Sequence, residues 1–239
     1  MLKVVHTSTV WLAQTLTWMY NQVKYLPADI ECHILCERTK NLDQFMLPNM
    51  WVFERDAGAL RYYWDKGLRK LRISRDLGSF ASVSRRIGAR VLHAHFGHAS
   101  WRQLALARKA SLKHVTTFYG VDVNYYPVQM PLWRTRYREL FGRGDLFLCE
   151  GPHMAGCLER LGCPPDKVRV HHLGVSVEQI AWKPRTFDAN GPLRVLIAGT
   201  FTQKKGIPYA IEALAEVRKD VPIQLTIIGD ATVSRESAA

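Results

Sequence analysis

Short apolar runs alternate with amphipathic segments along most of the chain, and this alternation predicts its architecture. Runs rich in aliphatic and aromatic residues predict strands over residues 2–6, 30–36, 51–53, 91–96, 114–118, 146–149 and 168–172. Apolar positions at helical spacing predict helices over residues 10–25, 133–141 and 152–162. They also predict a helix over 60–71 that resumes and continues to 87, and a helix that begins after an N-cap at Ser100. Strands that alternate with helices are typical of an α/β fold with a parallel sheet.

A second, shorter alternation follows a stretch without periodicity. Residues 178–192 contain Pro184, Asn190, Gly191 and Pro192 and are predicted to form a linker. Beyond it the pattern predicts a strand over 193–198, a helix over 207–217 and a strand over 223–228. Two strands and one helix are too few to cover both faces of a parallel sheet. We therefore expect an N-terminal domain over 1–177, a linker over 178–192 and a partial second domain over 193–239.

Residues 90–122 read as strand, helix and strand, a βαβ unit on which a site can be built. Such a unit has parallel strands, and open parallel sheets bind ligands at the carboxyl ends of their strands. This arrangement would place His95 and Gly97 beside Tyr119, Gly120 and Asp122. The sequence therefore predicts the floor of an active site at this edge.

A second candidate site is the segment Gly199-Thr200-Phe201-Thr202-Gln203-Lys204-Lys205-Gly206, which follows a strand and opens a helix. A glycine lets backbone amides approach an anion, and a helix start adds N–H donors and the positive end of a dipole. The segment matches neither GxxxxGK[ST] nor GxGxxG. A phosphate-binding turn and an ordinary turn with solvated lysines both stay open on this evidence.

His93, His95 and His98 form an HxHxxH pattern that could hold zinc. The pattern is similar to that of the metallo-β-lactamase-like hydrolases, which carry an aspartate just before the last histidine. Gly97 occupies that position here. Since hydrogen-bonded core histidines are the commoner use of such residues, we expect no metal.

The chain has 239 residues with a net charge of +12, which favours anionic partners. Nine Arg or Lys and two Asp lie within residues 61–90, and Arg134 and Arg138 add a basic pair. These charges could form a solvated face or a surface for an anionic membrane or acceptor; no nucleic-acid motif is present. Five cysteines without a CxxC pair, and the lack of a signal-peptide pattern or an apolar run of spanning length, favour the cytoplasm.

Taken in order, the segments HAHFG, TFYGVD, LRVLIAGTFTQKKGIPYAIEAL and LTIIGD resemble the group 1 (family 4) glycosyltransferases of bacterial polysaccharide biosynthesis. The resemblance implies a GT-B architecture of two Rossmann-like domains, with the acceptor mainly on the first and a nucleotide-sugar donor on the second. It also implies sugar transfer with retention to a saccharide or lipid-linked acceptor, without a metal or other cofactor. Peripheral contact with the inner membrane would suit such an acceptor.

The resemblance assigns expected roles to individual residues. Tyr119 and Asp122 would be catalytic, with Tyr119 replacing a family histidine. The donor phosphates would contact Gly199, Thr200, Lys204, Lys205 and Gly206, with Thr200 at a position where the family has arginine. His95, Gly97, Gly120 and Gly174 would line the acceptor side, and Ser176 stands in place of the aspartate of a Gly-Val-Asp motif.

The family's C-terminal pair of donor-binding glutamates has no counterpart in this sequence. We therefore expect these 239 residues to bind nucleotide sugars weakly and to transfer no sugar alone. Two other classes stay open: a metal-dependent hydrolase using His93, His95 and His98, and a non-catalytic basic module that binds membranes or partners.

Overall fold

The computed structural model describes residues 1–13, 16–71, 73, 78–184 and 191–230. The chain divides into two compact units, residues 1–177 and 178–239. In the first unit the strands are β1 (Leu2–Trp11), β2 (Ile30–Thr39), β3 (Met50–Val52), β4 (Val91–His95), β5 (Lys113–Phe118), β6 (Leu146–Cys149) and β7 (Val168–Val170). Its α-helices are α1 (Thr17–Lys24), α2 (Leu42–Phe45), α3 (Phe53–Asp56), α4 (Ala59–Lys70), α5 (Gly78–Ile87), α6 (Gly97–Arg102), α7 (Leu104–Lys109), α8 (Tyr126–Gln129), α9 (Leu132–Arg143) and α10 (Pro152–Arg160).

All strands of the first unit join one parallel sheet in the order β3-β2-β1-β4-β5-β6-β7. The predicted α/β fold is therefore confirmed as a Rossmann-like sheet, with the strand order reversing between β1 and β4. Ligands of such sheets bind outside the carboxyl ends of the strands, near the point where the order reverses.

The second unit contains β8 (Leu193–Ala198), α11 (Ile207–Val217) and β9 (Ile223–Ile228). The strands β8 and β9 pair in parallel as a sheet of their own, as a strand–helix–strand crossover requires. Part of the expected linker, residues 185–190, lies outside the described residues.

The start of the first helix differs from its prediction. Strand β1 runs on to Trp11, and helix α1 begins at Thr17 instead of residue 10. The extended conformation is favoured by β-branched residues such as Thr9 and Val10. It is held by parallel pairing of Val10 with Arg38, and by the Trp11 indole N–H, which donates to the carbonyl of Phe45 over 2.8 Å.

Ser100 is also placed differently from its predicted role as a helix N-cap. Helix α6 already begins at Gly97, and Ser100 is buried inside it. The Ser100 hydroxyl lies 2.9 Å from His114 Nε2 and 2.6 Å from Thr116 Oγ1. The hydroxyl thus joins the helix to β5, because a buried polar group needs a hydrogen-bond partner.

Helix α4 packs against the rest of the first unit by an unexpected face. Tyr62 stacks on buried Phe53 with ring centroids 5.1 Å apart, and the side chain of Asp65 is buried. The apolar positions Leu60, Tyr63, Trp64 and Leu71 are instead exposed. The apolar stripe of a helix usually faces the core, whereas the apolar stripe of α4 is exposed to solvent.

Gly97 lies against the buried ring of Phe118, which leaves no room for a side chain. A Cβ at Gly97 would overlap Phe118 Cε1 and lie 2.8 Å from Cζ. We expect Gly97→Ala to lower the free energy of unfolding by about 1–3 kcal/mol, the usual cost of overpacking. Urea unfolding monitored by circular dichroism measures this change.

Gly142→Ala is the matched control, because Gly142 lies in α9 with open space where a Cβ would be. Alanine in a helix interior is favoured over glycine by roughly 0.5–1 kcal/mol, so this variant should be as stable as the parent or more stable. Equal stability of the two variants would contradict the close packing of Gly97 on Phe118.

Candidate functional site at the carboxyl edge of the sheet

The loops that follow β4 and β5 meet at the carboxyl edge of the sheet. His95 is the register partner of Thr117, so the segments after these strands start side by side. The Tyr119 hydroxyl lies 2.7 Å from His95 Nδ1. The structure therefore brings together the two segments that the sequence placed at this edge.

Asp122 fastens the two loops to each other. Its carboxylate accepts hydrogen bonds from the backbone N–H groups of Gly97 at 2.8 Å, Tyr119 at 3.0 Å and Gly120 at 3.0 Å. Gly120 has φ +109°, a backbone conformation suited to glycine, and this lets the chain turn back around the carboxylate. The side chain thus fixes the shape of the site floor.

Asp122 lies in the interior of the first unit, next to the side chain of Tyr137. The residue has no exposed surface, and the Tyr137 hydroxyl donates to its backbone carbonyl over 2.7 Å. Burial raises the pKa of the carboxyl group to about 6, while the backbone N–H donors oppose that rise. The predicted catalytic role of Asp122 stays a prediction, and the geometry adds a positioning role.

A hydrogen-bond chain leads from the Tyr119 hydroxyl into the interior of the sheet. Tyr119 donates to Gln22 Oε1 over 3.2 Å, so His95 Nδ1–H must donate to the Tyr119 oxygen. His95 Nε2 is then an acceptor for His6 Nδ1–H at 3.1 Å. The remaining nitrogen, His6 Nε2, is buried without a hydrogen-bond partner among the described residues.

His6 belongs to this series of hydrogen bonds, although the sequence analysis did not predict it as a site residue. It lies on the central strand β1, where it is the register partner of His93. Gln22 on α1 was also missed. A signal for His6 existed only in the pairing of two strands far apart in sequence.

The histidines do not assemble as the HxHxxH spacing suggested. His6, His93 and His95 bring ring nitrogens within 4.8 Å of one another, whereas His98 packs by its edge on Tyr126, with ring centroids 4.9 Å apart. The ring planes of His6 and His93 are inclined by 20° and 24° to that of His95 and by 44° to each other.

A metal ion binds along the lone pair of an imidazole nitrogen, so a nitrogen that already has a hydrogen-bond partner is less suited to hold one. Both nitrogens of His95 are also engaged, and His93 Nε2 lies 2.7 Å from Thr117 Oγ1. The group therefore suits a hydrogen-bonded core better than zinc, which usually requires four ligands. The absence of a metal stays a prediction.

The turn before α11 has the features predicted for an anion site in the second unit. Gly206 adopts φ +67° between a short 3₁₀ turn, Gln203–Lys205, and the helix. The Lys205 side chain folds back over Gly199, where a Cβ would lie 3.7 Å from its Cδ and Cε atoms. Lys204 and Lys205 are exposed, while Thr200 is partly buried in the same turn.

Gly174 is not brought to the His95–Tyr119 site by any described contact. It follows β7, the edge strand of the sheet, and the space where its Cβ would point is open. Its predicted acceptor-side role stays a prediction.

The model of Glycosyltransferase Family 4 matches residues 17–179, more than half of the chain. The chain belongs to glycosyltransferase family 4. This finding confirms the resemblance read from the sequence motifs.

Curated relatives of this family 4 chain act in polysaccharide biosynthesis, according to their names. Salmonella typhimurium WcaL, named as a colanic acid biosynthesis glycosyltransferase, is 35% identical over 62% of this chain and 37% of its own length. Erwinia amylovora AmsK, an amylovoran biosynthesis glycosyltransferase, is 31% identical over 62% of this chain and 37% of its own. The chain thus spans well under half of the length of the curated relatives it matches.

Solved structures share the fold of this family 4 chain. Anabaena HepE in complex with UDP-glucose superposes with a TM-score of 0.67 and 14% identity, covering 98% of this chain and 62% of that protein. The lipopolysaccharide outer core galactosyltransferase WaaB gives a TM-score of 0.65 and 15% identity, covering 97% and 62%. At this identity the likeness confirms a fold of the GT-B glycosyltransferase type.

Removal of the Asp122 carboxylate should destabilise the first unit. Asp122→Ala leaves three N–H donors unsatisfied, of which that of Gly97 is buried and those of Tyr119 and Gly120 are partly buried, and a buried unsatisfied group costs about 1–3 kcal/mol. We expect a lower free energy of unfolding in urea and faster amide exchange at Gly97 and Gly120.

Asp122→Asn is the conservative comparison for this test, because its side-chain oxygen can still accept some of these hydrogen bonds. It should lie between the parent and Asp122→Ala in stability. Unchanged exchange in both variants would show that the carboxylate does not hold the loops.

The buried histidines should make stability strongly dependent on pH. Burial lowers the pKa of His93, His98 and His114 to about 4 and depresses those of His6 and His95 as well. Below the unfolded value of about 6.5 the unfolded chain binds more protons, so stability falls as pH decreases from about 6.5 towards 4. The raised pKa of Asp122 has the opposite effect on stability below about pH 6, because the folded chain then binds a proton that the unfolded chain does not. This effect offsets the uptake of about one proton by the unfolded histidines.

Urea unfolding at intervals from about pH 7 to pH 5 measures this dependence, and the slope should exceed the ~1.4 kcal/mol per pH unit of a single proton. His93→Gln should reduce the slope by about one proton. His172→Gln, a change at an exposed side chain, should leave it unchanged. A flat profile for the parent chain would mean that these imidazoles are not buried in neutral form.

Proposed function

We propose that this chain takes part in the transfer of a sugar, with retention at the anomeric carbon, from a nucleotide-diphosphate sugar to a saccharide or lipid-linked acceptor. The observation that carries the proposal is the family 4 match over residues 17–179, which includes the whole His95–Asp122 site. The names of WcaL and AmsK support a place in polysaccharide biosynthesis. The complexes of HepE with UDP-glucose and UDP support a nucleotide-sugar donor.

The donor diphosphate would bind at the turn from Gly199 to Gly206. Negative charge builds on the distal phosphate as the nucleotide leaves. The N–H groups of Ile207 and Tyr209 at the start of α11, the helix dipole and the Lys205 ammonium would stabilise that charge; Pro208 has no N–H to donate. Lys205 suits this role because its aliphatic chain lies across Gly199 and keeps the ammonium near the turn.

The acceptor would bind at the carboxyl edge of the seven-stranded sheet. Asp122 would fix the floor of this site, and the His6–His95 chain would hold Tyr119 in place. Fixed groups of this kind speed a transfer reaction because they need no reorganisation as charge develops. No step of this scheme requires a metal ion.

The reaction would take place in the cytoplasm, at the membrane surface when the acceptor is lipid-linked. Within the described residues, no helix is both long and apolar enough to cross a bilayer.

A metal-dependent hydrolase is disfavoured by the separation of His98 from the other histidines. A non-catalytic basic module makes a different prediction, because it would show no preference for the nucleotide sugar.

Titration with UDP-glucose, followed by saturation-transfer NMR, tests the donor site. We expect weak binding with Kd in the millimolar range, corresponding to about −4 kcal/mol. Free UDP should compete, glucose alone should not, and a chelator should change nothing. Lys205→Ala should weaken binding about two- to five-fold, since an exposed charge at a helix start is worth roughly 0.3–1 kcal/mol.

Lys219→Ala is the matched control, because Lys219 lies beyond the opposite end of the same helix and pairs with Glu216. Equal losses in the two lysine variants would indicate nonspecific attraction to an anion. The absence of competition by UDP would contradict a nucleotide-sugar site.

A further inference from the structure

We propose that helix α4 binds the surface of an anionic bilayer through an exposed stripe of Leu60, Tyr63, Trp64 and Leu71, called here the α4 stripe. The proposal identifies the surface that would make a membrane contact. It can be measured without any sugar transfer, so its failure is distinguishable from failure of the proposed reaction.

The members of the α4 stripe are among the most exposed apolar side chains of the first unit. Their exposed fractions are 88% for Leu60, 72% for Tyr63, 61% for Trp64 and 70% for Leu71. Leu60, Tyr63 and Trp64 lie within α4, and Leu71 follows its last residue as the C-cap. At about 100° per residue, the four positions fall within roughly a third of the helix circumference. They therefore lie on one face of the helix, with Gly67 between Trp64 and Leu71, instead of being scattered around it.

The opposite face of α4 is already occupied by the fold. Arg61 pairs with Asp65 at 3.1 Å, and Asp65 also accepts the backbone N–H of Ser79 at 3.0 Å. Arg69 pairs with Glu37 of β2 at 2.7 Å. Since the contacts of Asp65 with Ser79 and of Arg69 with Glu37 join α4 to neighbouring elements, they hold the helix with its apolar stripe outward.

The charges on α4 favour an anionic lipid surface. Lys66 and Lys70 are exposed and flank the stripe on the side of Tyr63. The helix has a single acidic residue, Asp65, whose side chain is buried and paired. A cationic helix with aromatic and aliphatic residues on its outer face is the pattern of interfacial membrane helices, in which Trp and Tyr lie at headgroup level.

The size of the stripe favours a bilayer over a folded protein partner. A stable protein interface usually takes about 800 Å² and some 20–30 residues from each side, and four side chains on one helix supply far less. Membrane binding has no such threshold, because each buried apolar group and each lysine near an anionic surface adds its own contribution.

Co-sedimentation with vesicles of phosphatidylcholine containing about 30 mol% phosphatidylglycerol tests the proposal. We expect binding that falls at least tenfold when NaCl is raised from about 0.1 M to about 1 M, and that is at least tenfold weaker on pure phosphatidylcholine. The double variants Tyr63→Ser/Trp64→Ser and Lys66→Glu/Lys70→Glu should each reduce binding at least tenfold. Tyr125→Ser/Val128→Ser, two exposed residues elsewhere in the unit, is the matched control and should bind as the parent does.

Tryptophan fluorescence reports whether Trp64 enters the bilayer. The parent chain should show a blue shift on binding vesicles. Trp64→Phe should still bind but lose that shift, whereas Trp182→Phe, at another exposed tryptophan, should keep it. All variants alter exposed side chains, and a circular dichroism spectrum and urea midpoint equal to the parent's confirm that they fold.

Three results would overturn the proposal. The first is equal binding to neutral and anionic vesicles. The second is unchanged binding of the Tyr63→Ser/Trp64→Ser variant. The third is a concentration-dependent dimer in size-exclusion chromatography that this variant abolishes, which would make the stripe a contact between two copies of the chain.

Discussion

The candidate site depends on one buried carboxylate. Asp122 accepts hydrogen bonds from three backbone N–H groups in the two segments that follow β4 and β5, in addition to the Tyr119–His95 contact between these segments. A carboxylate without exposed surface is stable only when such donors surround it, because burying an unpaired charge is very costly. The requirement works in both directions: the donors keep the charged group in the interior, and the charged group holds Gly97 and Gly120 in place.

The interior of the sheet beneath this site is unusually polar. His6, His93 and His95 occupy a region where parallel sheets mostly carry aliphatic side chains. They are accommodated because a neutral imidazole can both donate and accept a hydrogen bond. His6 donates to His95, His95 donates to Tyr119, and Tyr119 donates to Gln22. The same burial that keeps the rings neutral makes the fold sensitive to acid.

The α4 stripe and the site floor illustrate two uses of polar contacts. At Asp122, hydrogen bonds close a loop around the place where an acceptor would bind. On α4, the contacts of Asp65 with Ser79 and of Arg69 with Glu37 hold the helix with its apolar side outward. In both cases a polar contact between two elements helps to set which surface the protein offers to its surroundings.

The sequence by itself determined the alternation of strands and helices, the parallel sheet and the meeting of the His95 and Tyr119 segments, because these follow from local periodicity and from the handedness of a βαβ unit. Only the tertiary structure decided that His6 joins His95, that His98 does not, and that the α4 stripe faces solvent. It also decided that β1 extends to Trp11, since that depends on pairing with β2 and on a contact with Phe45. Each of these outcomes rests on partners distant in sequence, whose contacts no local pattern encodes.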